Sequence, residues 1–176
     1  MIEKIEKIRN CRNCSLYKNQ EPLIDKKTKC DVMWVGLSAK KVEDVNNNFP
    51  LENNTNSGKL IEDIEKRKPN LNFYKTNLVK CLPLSEKSKL RYPTNNEMEM
   101  CIKNLLIEIN ELKPKLIFLL GNSVSKFVMQ YCKNNNIQID AHILSIEHPS
   151  YICVYRRKNM ESYIKKVTDE IEREEL

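Results

Sequence analysis

The sequence predicts an α/β fold, a three-layer α/β/α sandwich around a central four-stranded, mainly parallel sheet, in a single domain spanning residues 1–176. Three observations carry this. Four short apolar runs are separated by stretches of helical periodicity, the alternation that builds parallel sheets with helices on both faces. The chain has 176 residues, 40% of them hydrophobic, which suits one core. No internal repeat or change of composition marks a second domain. No run approaches the length needed to span a bilayer, and the N-terminus has no signal-peptide pattern, so the expected setting is cytoplasmic, without a membrane partner. A monomer is expected.

The first element is a short amphipathic helix, since "MIEKIEKIRN" places Ile2, Ile5 and Ile8 at helical spacing ahead of "CRNC". The first strand is "DVMWVG", residues 31–36, leading into "LSAKK". A long polar loop, "VEDVNNNFPLENNTN", follows, and loops of that length in compact domains are often functional. "SGKLIEDIEKR" then carries Leu60, Ile61 and Ile64 on one helical face. The second strand is "FYKTNLV", residues 73–79, followed by a basic loop, "LPLSEKSKLRYP". The helix "TNNEMEMCIKNLLIEINEL" opens with Thr94 and Glu97 at capping-box spacing. The third strand runs from Lys115 to Leu120, with the helix "NSVSKFVMQYC" after it and Asn122 or Ser123 as its cap. "HILSI", residues 142–146, is the fourth strand, and a charged amphipathic helix covers about Asn159 to Glu174. In such a sheet the site is expected at the carboxyl ends of the strands.

Thirty basic against twenty-four acidic residues leave a formal charge of +6, a mild lean toward an anionic partner. Seven cysteines in a chain expected in the cytoplasm argue for metal binding or reactivity over a disulfide framework. Cys11 and Cys14 form C-x2-C, Cys81 follows the second strand, and Cys101 lies early in the capped helix. Four thiolates suit zinc or a [4Fe–4S] cluster, and spacing does not choose between them. Cys30, Cys132 and Cys153 have no spaced partner and read as small apolar filler.

Taken together, "CRNCSLYKNQEPLI", "YKTNLVKCLPL", "EMEMCIKNLLIEINELKPKLIFLLGNSV" and "HPSYICVYRRK" resemble the iron–sulfur, family 4 branch of the uracil-DNA glycosylase superfamily over nearly the whole chain. The resemblance implies that Cys11, Cys14, Cys81 and Cys101 bind a [4Fe–4S] cluster and that DNA is the partner. It implies that Asn77 reads a flipped base, and a carboxamide can pair with both a donor and an acceptor on a pyrimidine edge. It gives His148 the role of donor to the base O2, where negative charge develops as the glycosidic bond breaks. Ser150 is expected to hold a DNA phosphate, with Arg156, Arg157 and Lys158 supplying charge beside it. All three glycines, Gly36, Gly58 and Gly121, fall on glycines of the family pattern.

The tip of the first strand departs from that pattern. Where the family has Gly-Glu-Ala-Pro-Gly, this chain has Gly36-Leu37-Ser38-Ala39-Lys40, so a carboxylate associated with handling water has become Leu37. Ser38 occupies the position that carries the water-handling residue in other branches, and Lys40 falls near the C5 edge of the base. Glu43 and Asp44 match a Glu-Asp pair, which makes Asp44 a catalytic candidate. The ring that stacks on the base is expected from Phe49, whose Phe-Pro order is reversed. The expected function is a DNA glycosylase that flips a base and hydrolyses its N-glycosidic bond, with uracil as the default substrate and a C5-substituted pyrimidine as the rival. The alternative is an inactive iron–sulfur module of glycosylase-like fold that holds DNA or a protein.

Overall fold

A computed structural model describes residues 2–174. Four strands, β1 (Val32–Ser38), β2 (Phe73–Val79), β3 (Leu116–Leu120) and β4 (His142–Ile146), form one sheet in the order β2-β1-β3-β4. Every neighbouring pair is parallel. The helices are α1 (Glu3–Glu6), α2 (Asn56–Lys66), α3 (Asn95–Leu112), α4 (Asn122–Asn134), α5 (Pro149–Tyr155) and α6 (Met160–Arg173), with 3-10 turns at Lys7–Asn10, Ser15–Lys18 and Arg157–Asn159. None of these helices is long and apolar enough to cross a membrane.

Alternation along the strands divides the core in two. Met33, Val35, Tyr74, Leu78, Ile117 and Leu119 pack under α1, α3 and α4, meeting Ile5, Ile102, Leu105, Val124 and Val128. Val32, Trp34, Phe73, Leu116, Phe118 and Leu120 pack under α2, α5 and α6, meeting Leu60, Ile61, Ile64, Ile152, Ile164 and Val167. Both faces of β1 are therefore covered, which is why its run is continuously apolar. The capping box forms with both of its bonds: Glu97 N–H donates to Thr94 Oγ1 (3.2 Å), and Thr94 N–H donates to Glu97 Oε2 (2.8 Å). Loss of such a cap costs about 0.5–2 kcal/mol.

β2 is an edge strand, and unpaired edges need cover. A strap from residues 22–31 supplies it. Leu23 N–H donates to the Lys80 carbonyl (2.8 Å), Asp25 Oδ2 accepts from Lys75 N–H (3.1 Å), and Lys27 Nζ donates to the Phe73 carbonyl (2.8 Å).

The structure departs from the sequence reading in four main ways. β1 continues past Gly36 to Ser38, because Ser38 still pairs with Val79 and Leu37 still packs on the core. The cap of α4 is neither Asn122 nor Ser123 but Gly121, at φ 93°, without a side-chain bond. The first helix is a single α-turn that tightens to 3-10 geometry from Lys7. Helix α5 is additional to the sequence reading, although Pro149 as its first residue is a recognised start signal.

Candidate functional site

Ser38 and Asn77 lie toward the carboxyl ends of β1 and β2, and His148 stands just beyond the end of β4. On β2, Asn77 faces the α2 side of the sheet, one pleat beyond Lys75 and in register with Gly36 of β1. It is 4% exposed. Its main-chain carbonyl accepts from Lys80 Nζ (2.6 Å), while its carboxamide has no hydrogen-bond partner among the described residues. Gly36 makes that placement possible, since a Cβ there would stand 2.3 Å from Asn77 Oδ1. A strand glycine of this kind marks a close approach.

His148 follows β4 and caps α5. Its Nδ1 accepts from Ser150 N–H (3.0 Å) and lies 2.7 Å from Ser150 Oγ. With Nδ1 committed as acceptor, the neutral ring carries its proton on Nε2, which is free to donate. Burial, and then the nearby Lys40 cation, hold the imidazole below its ordinary pKa, which keeps it neutral. Gly121 admits the turn: a Cβ at its positive φ would come within 3.3 Å of His148 Cβ. In this arrangement the N–H and the Oγ of Ser150 both face the histidine.

The tip of β1 divides its residues between the faces. Leu37 packs against the cluster under α3 and α4, opposite Asn77, whereas Ser38 shares the face of Gly36 and Asn77. Lys40 is exposed, and its carbonyl accepts from Gln20 Nε2 (3.0 Å). Asp44 closes its own turn, Oδ1 accepting from Asn46 N–H (2.7 Å) and Oδ2 from Asn47 Nδ2 (2.6 Å). Phe49 stands over Lys75, whose Nζ is 5.8 Å from the ring centroid and 3.1 Å from Glu65 Oε2. Glu65 Oε1 also accepts from Trp34 Nε1 (3.0 Å). Sequence reasoning missed this buried Lys75–Glu65 pair, although polar Lys75 and Asn77 two apart in a covered strand were a signal for it.

Arg156, Arg157 and Lys158 are exposed where α5 ends, beside exposed Tyr151, Val154 and Tyr155. Arg156 lies over the Tyr151 ring (5.4 Å) and 3.5 Å from Glu147 Oε1. Cations interleaved with aromatic rings suit a polyanion with stackable bases.

Cys11, Cys14, Cys81 and Cys101 line one cavity together with Asn13, Tyr17, Val79, Lys80, Met100 and Asn104. Among the described residues no three ligating side chains close around a single ion. Burial, then neighbouring Cys101, Cys14 and Cys11, push the Cys81 thiol up, and Arg12 opposes them. Amide donors reach the sulfurs: Asn104 Nδ2 to Cys11 (3.4 Å), and Lys80 N–H to Cys101 (3.3 Å). Cys30 and Cys153 are buried and Cys132 half-buried, none of them lining this cavity.

The family model of the uracil DNA glycosylase superfamily matches residues 22–172. Cys81 and Cys101 fall inside that range, and Cys11 and Cys14 precede it. A solved structure described as wild-type SMUG2 of Pedobacter heparinus is similar in fold, with a TM-score of 0.59 and 15% identity over 82% of this chain and 75% of that one. No curated protein sequence matches.

Proposed function

The chain belongs to the uracil DNA glycosylase superfamily, and from that premise we propose that it flips a base out of DNA and hydrolyses the N-glycosidic bond. Water gives its hydroxyl to C1′ and a proton to the departing base. Uracil is the default substrate, and a C5-substituted pyrimidine is the rival because the tip of β1 is so altered. The observation that carries this reading is the carboxamide of Asn77, without a protein partner at the end of a covered strand, beside a glycine that makes room for it. With no partner in the protein, the amide keeps both its donor and its acceptor available, and a pyrimidine edge would engage both. His148 would donate from Nε2 to the base O2 as charge develops there. Ser38, on the face of Asn77, is the residue proposed to position water; Lys40 would meet the C5 edge, and Phe49 would stack on the base. The test is incubation with uracil-containing DNA followed by alkali; nicked strands are expected, and intact strands would remove the activity.

The four thiols that line one cavity, with amide donors on two of them, are the residues proposed to hold a [4Fe–4S] cluster. Cys11, Cys14, Cys81 and Cys101 would hold it, and bound there it would tie the N-terminal segment to β2 and α3. One specific observation favours the second reading, a binding module without hydrolysis. Leu37 turns to the core and Asp44 is bonded into its own turn, so neither offers a free carboxylate in this arrangement.

Two results are expected of the proposed enzyme. Neutralising Arg156 and Arg157 should weaken binding to all DNA sequences and flatten the log–log salt dependence by about 0.9 for each phosphate that is no longer neutralised. An unchanged slope would take them out of the interface. Base release should hold level as pH falls through 6.5, the ordinary histidine value, and decline only below it, because His148 stays neutral there. Protonating Nδ1 would remove the acceptor for Ser150 N–H. Lys40→Ala, by relieving repulsion, should move the decline to higher pH, and kcat/KM against pH reads both effects.

A further inference from the structure

On the face of β2 opposite the Asn77 carboxamide lies an ion pair that the proposed reaction does not use. Lys80 and Glu108 have side chains with 0% exposure, and Nζ stands 2.5 Å from Oε2. The ammonium has three donors and meets three acceptors: Glu108 Oε2, Thr76 Oγ1 (2.6 Å) and the Asn77 carbonyl (2.6 Å). Glu108 in turn accepts from Tyr74 Oη (3.0 Å) and Thr76 Oγ1 (2.8 Å). An ammonium has no further donor to offer, so the group is fully matched.

Stability alone does not account for such a pair. Burying two charges is costly, and apolar side chains of the same volume are often as stable or more so. What the pair does is fix a peptide. Because β2 is an edge strand, its outer carbonyls find no neighbouring strand; the strap takes those of Phe73 and Lys80, and Lys80 Nζ takes that of Asn77. The Lys80 main-chain N–H also reaches Cys101 Sγ, so one residue touches both the peptide of the amide-bearing Asn77 and the cysteine cavity.

We infer that Lys80, held by Glu108 and Thr76, is a positioning residue that locks the Asn77 peptide and thereby fixes the direction of its carboxamide. The catalytic consequence rests on the glycosylase reading; the positioning itself does not. Lys80→Met alone would strand a buried carboxylate, so the informative variant is Lys80→Met with Glu108→Gln. The glutamine keeps an acceptor for Tyr74 and an amide donor for Thr76 while both charges leave.

The experiment compares wild type, this double variant and Asn77→Ala by thermal unfolding, single-turnover base release, DNA affinity and side-chain amide resonances in 15N spectra. The Asn77 amide pair is identified by its loss in Asn77→Ala. The expected result is near-native unfolding, base release slowed about 10- to 100-fold with DNA affinity kept, and a shifted Asn77 pair. Native release together with an unmoved pair would overturn the inference and leave the glycosylase reading intact. If wild type releases no base, that reading fails, and the Asn77 resonances alone decide the positioning: shifted supports it, unmoved ends it. Should the double variant not fold, Thr76→Val loosens the same ammonium without removing a charge and is judged on the same resonances.

Discussion

Asn77→Ala and His148→Ala should each slow base release by about 100- to 1,000-fold, the loss typical of removing one well-placed donor from a transition state. DNA affinity should stay nearly unchanged, because most of it comes from phosphate contacts that neither residue makes. The two failures should differ in kind. Asn77 would act in recognition, so Asn77→Ala should also blunt discrimination between pyrimidines. His148 would act on charge that appears only as the bond breaks, so its loss should lower kcat with little change in KM. Gly36→Ala offers an independent check, since the added methyl would stand 2.3 Å from Asn77 Oδ1 and displace the carboxamide without removing it. Full activity in both Asn77→Ala and His148→Ala would mean that the base binds elsewhere.

Cys81→Ala or Cys101→Ala should bleach a brown protein whose iron and sulfide stand at about four to four, and should lower its stability. The expected loss is of the order of 4 kcal/mol, the loop entropy released when a link between distant parts of a chain is cut. Cys132→Ala, outside the cavity, should change neither colour nor iron content. Colourless wild-type protein carrying one zinc per chain would defeat the cluster proposal. Circular dichroism melts and iron analysis on the same preparations separate bleaching from unfolding.

The architecture was open to reading because β1 and β3 are nearly continuous apolar runs, β2 and β4 are short and rich in aromatic and branched residues, and each long helix carries an apolar stripe, signals that survive without any partner in view. Thr94 and Glu97 likewise announce a capping box from three residues' distance. The buried charges were not readable in this way. Lys80 and Glu108 lie 28 residues apart on different elements, and nothing local distinguishes them from surface charges until β2 and α3 are packed. The face of Leu37 was hidden for a related reason: the end of β1 depends on Ser38 pairing with Val79, a tertiary fact. Asp44 looked available because its sequence gives no hint that Asn46 and Asn47 will turn back on it.

The strap along β2 carries a consequence for how the protein is lost. It lies close in sequence to the Cys11–Cys14 segment, and it covers the outer edge of a seven-residue strand. If that segment loosens, the chain need not unfold to fail: a nearly native molecule would offer bare amides and carbonyls to the same edge of another copy. With the proposed cluster holding that segment, protein made under iron starvation should therefore come out of solution as strand-rich assemblies while its sheet is still intact, with amide exchange rising first at residues 22–31 and along β2, well before the central strands β1 and β3.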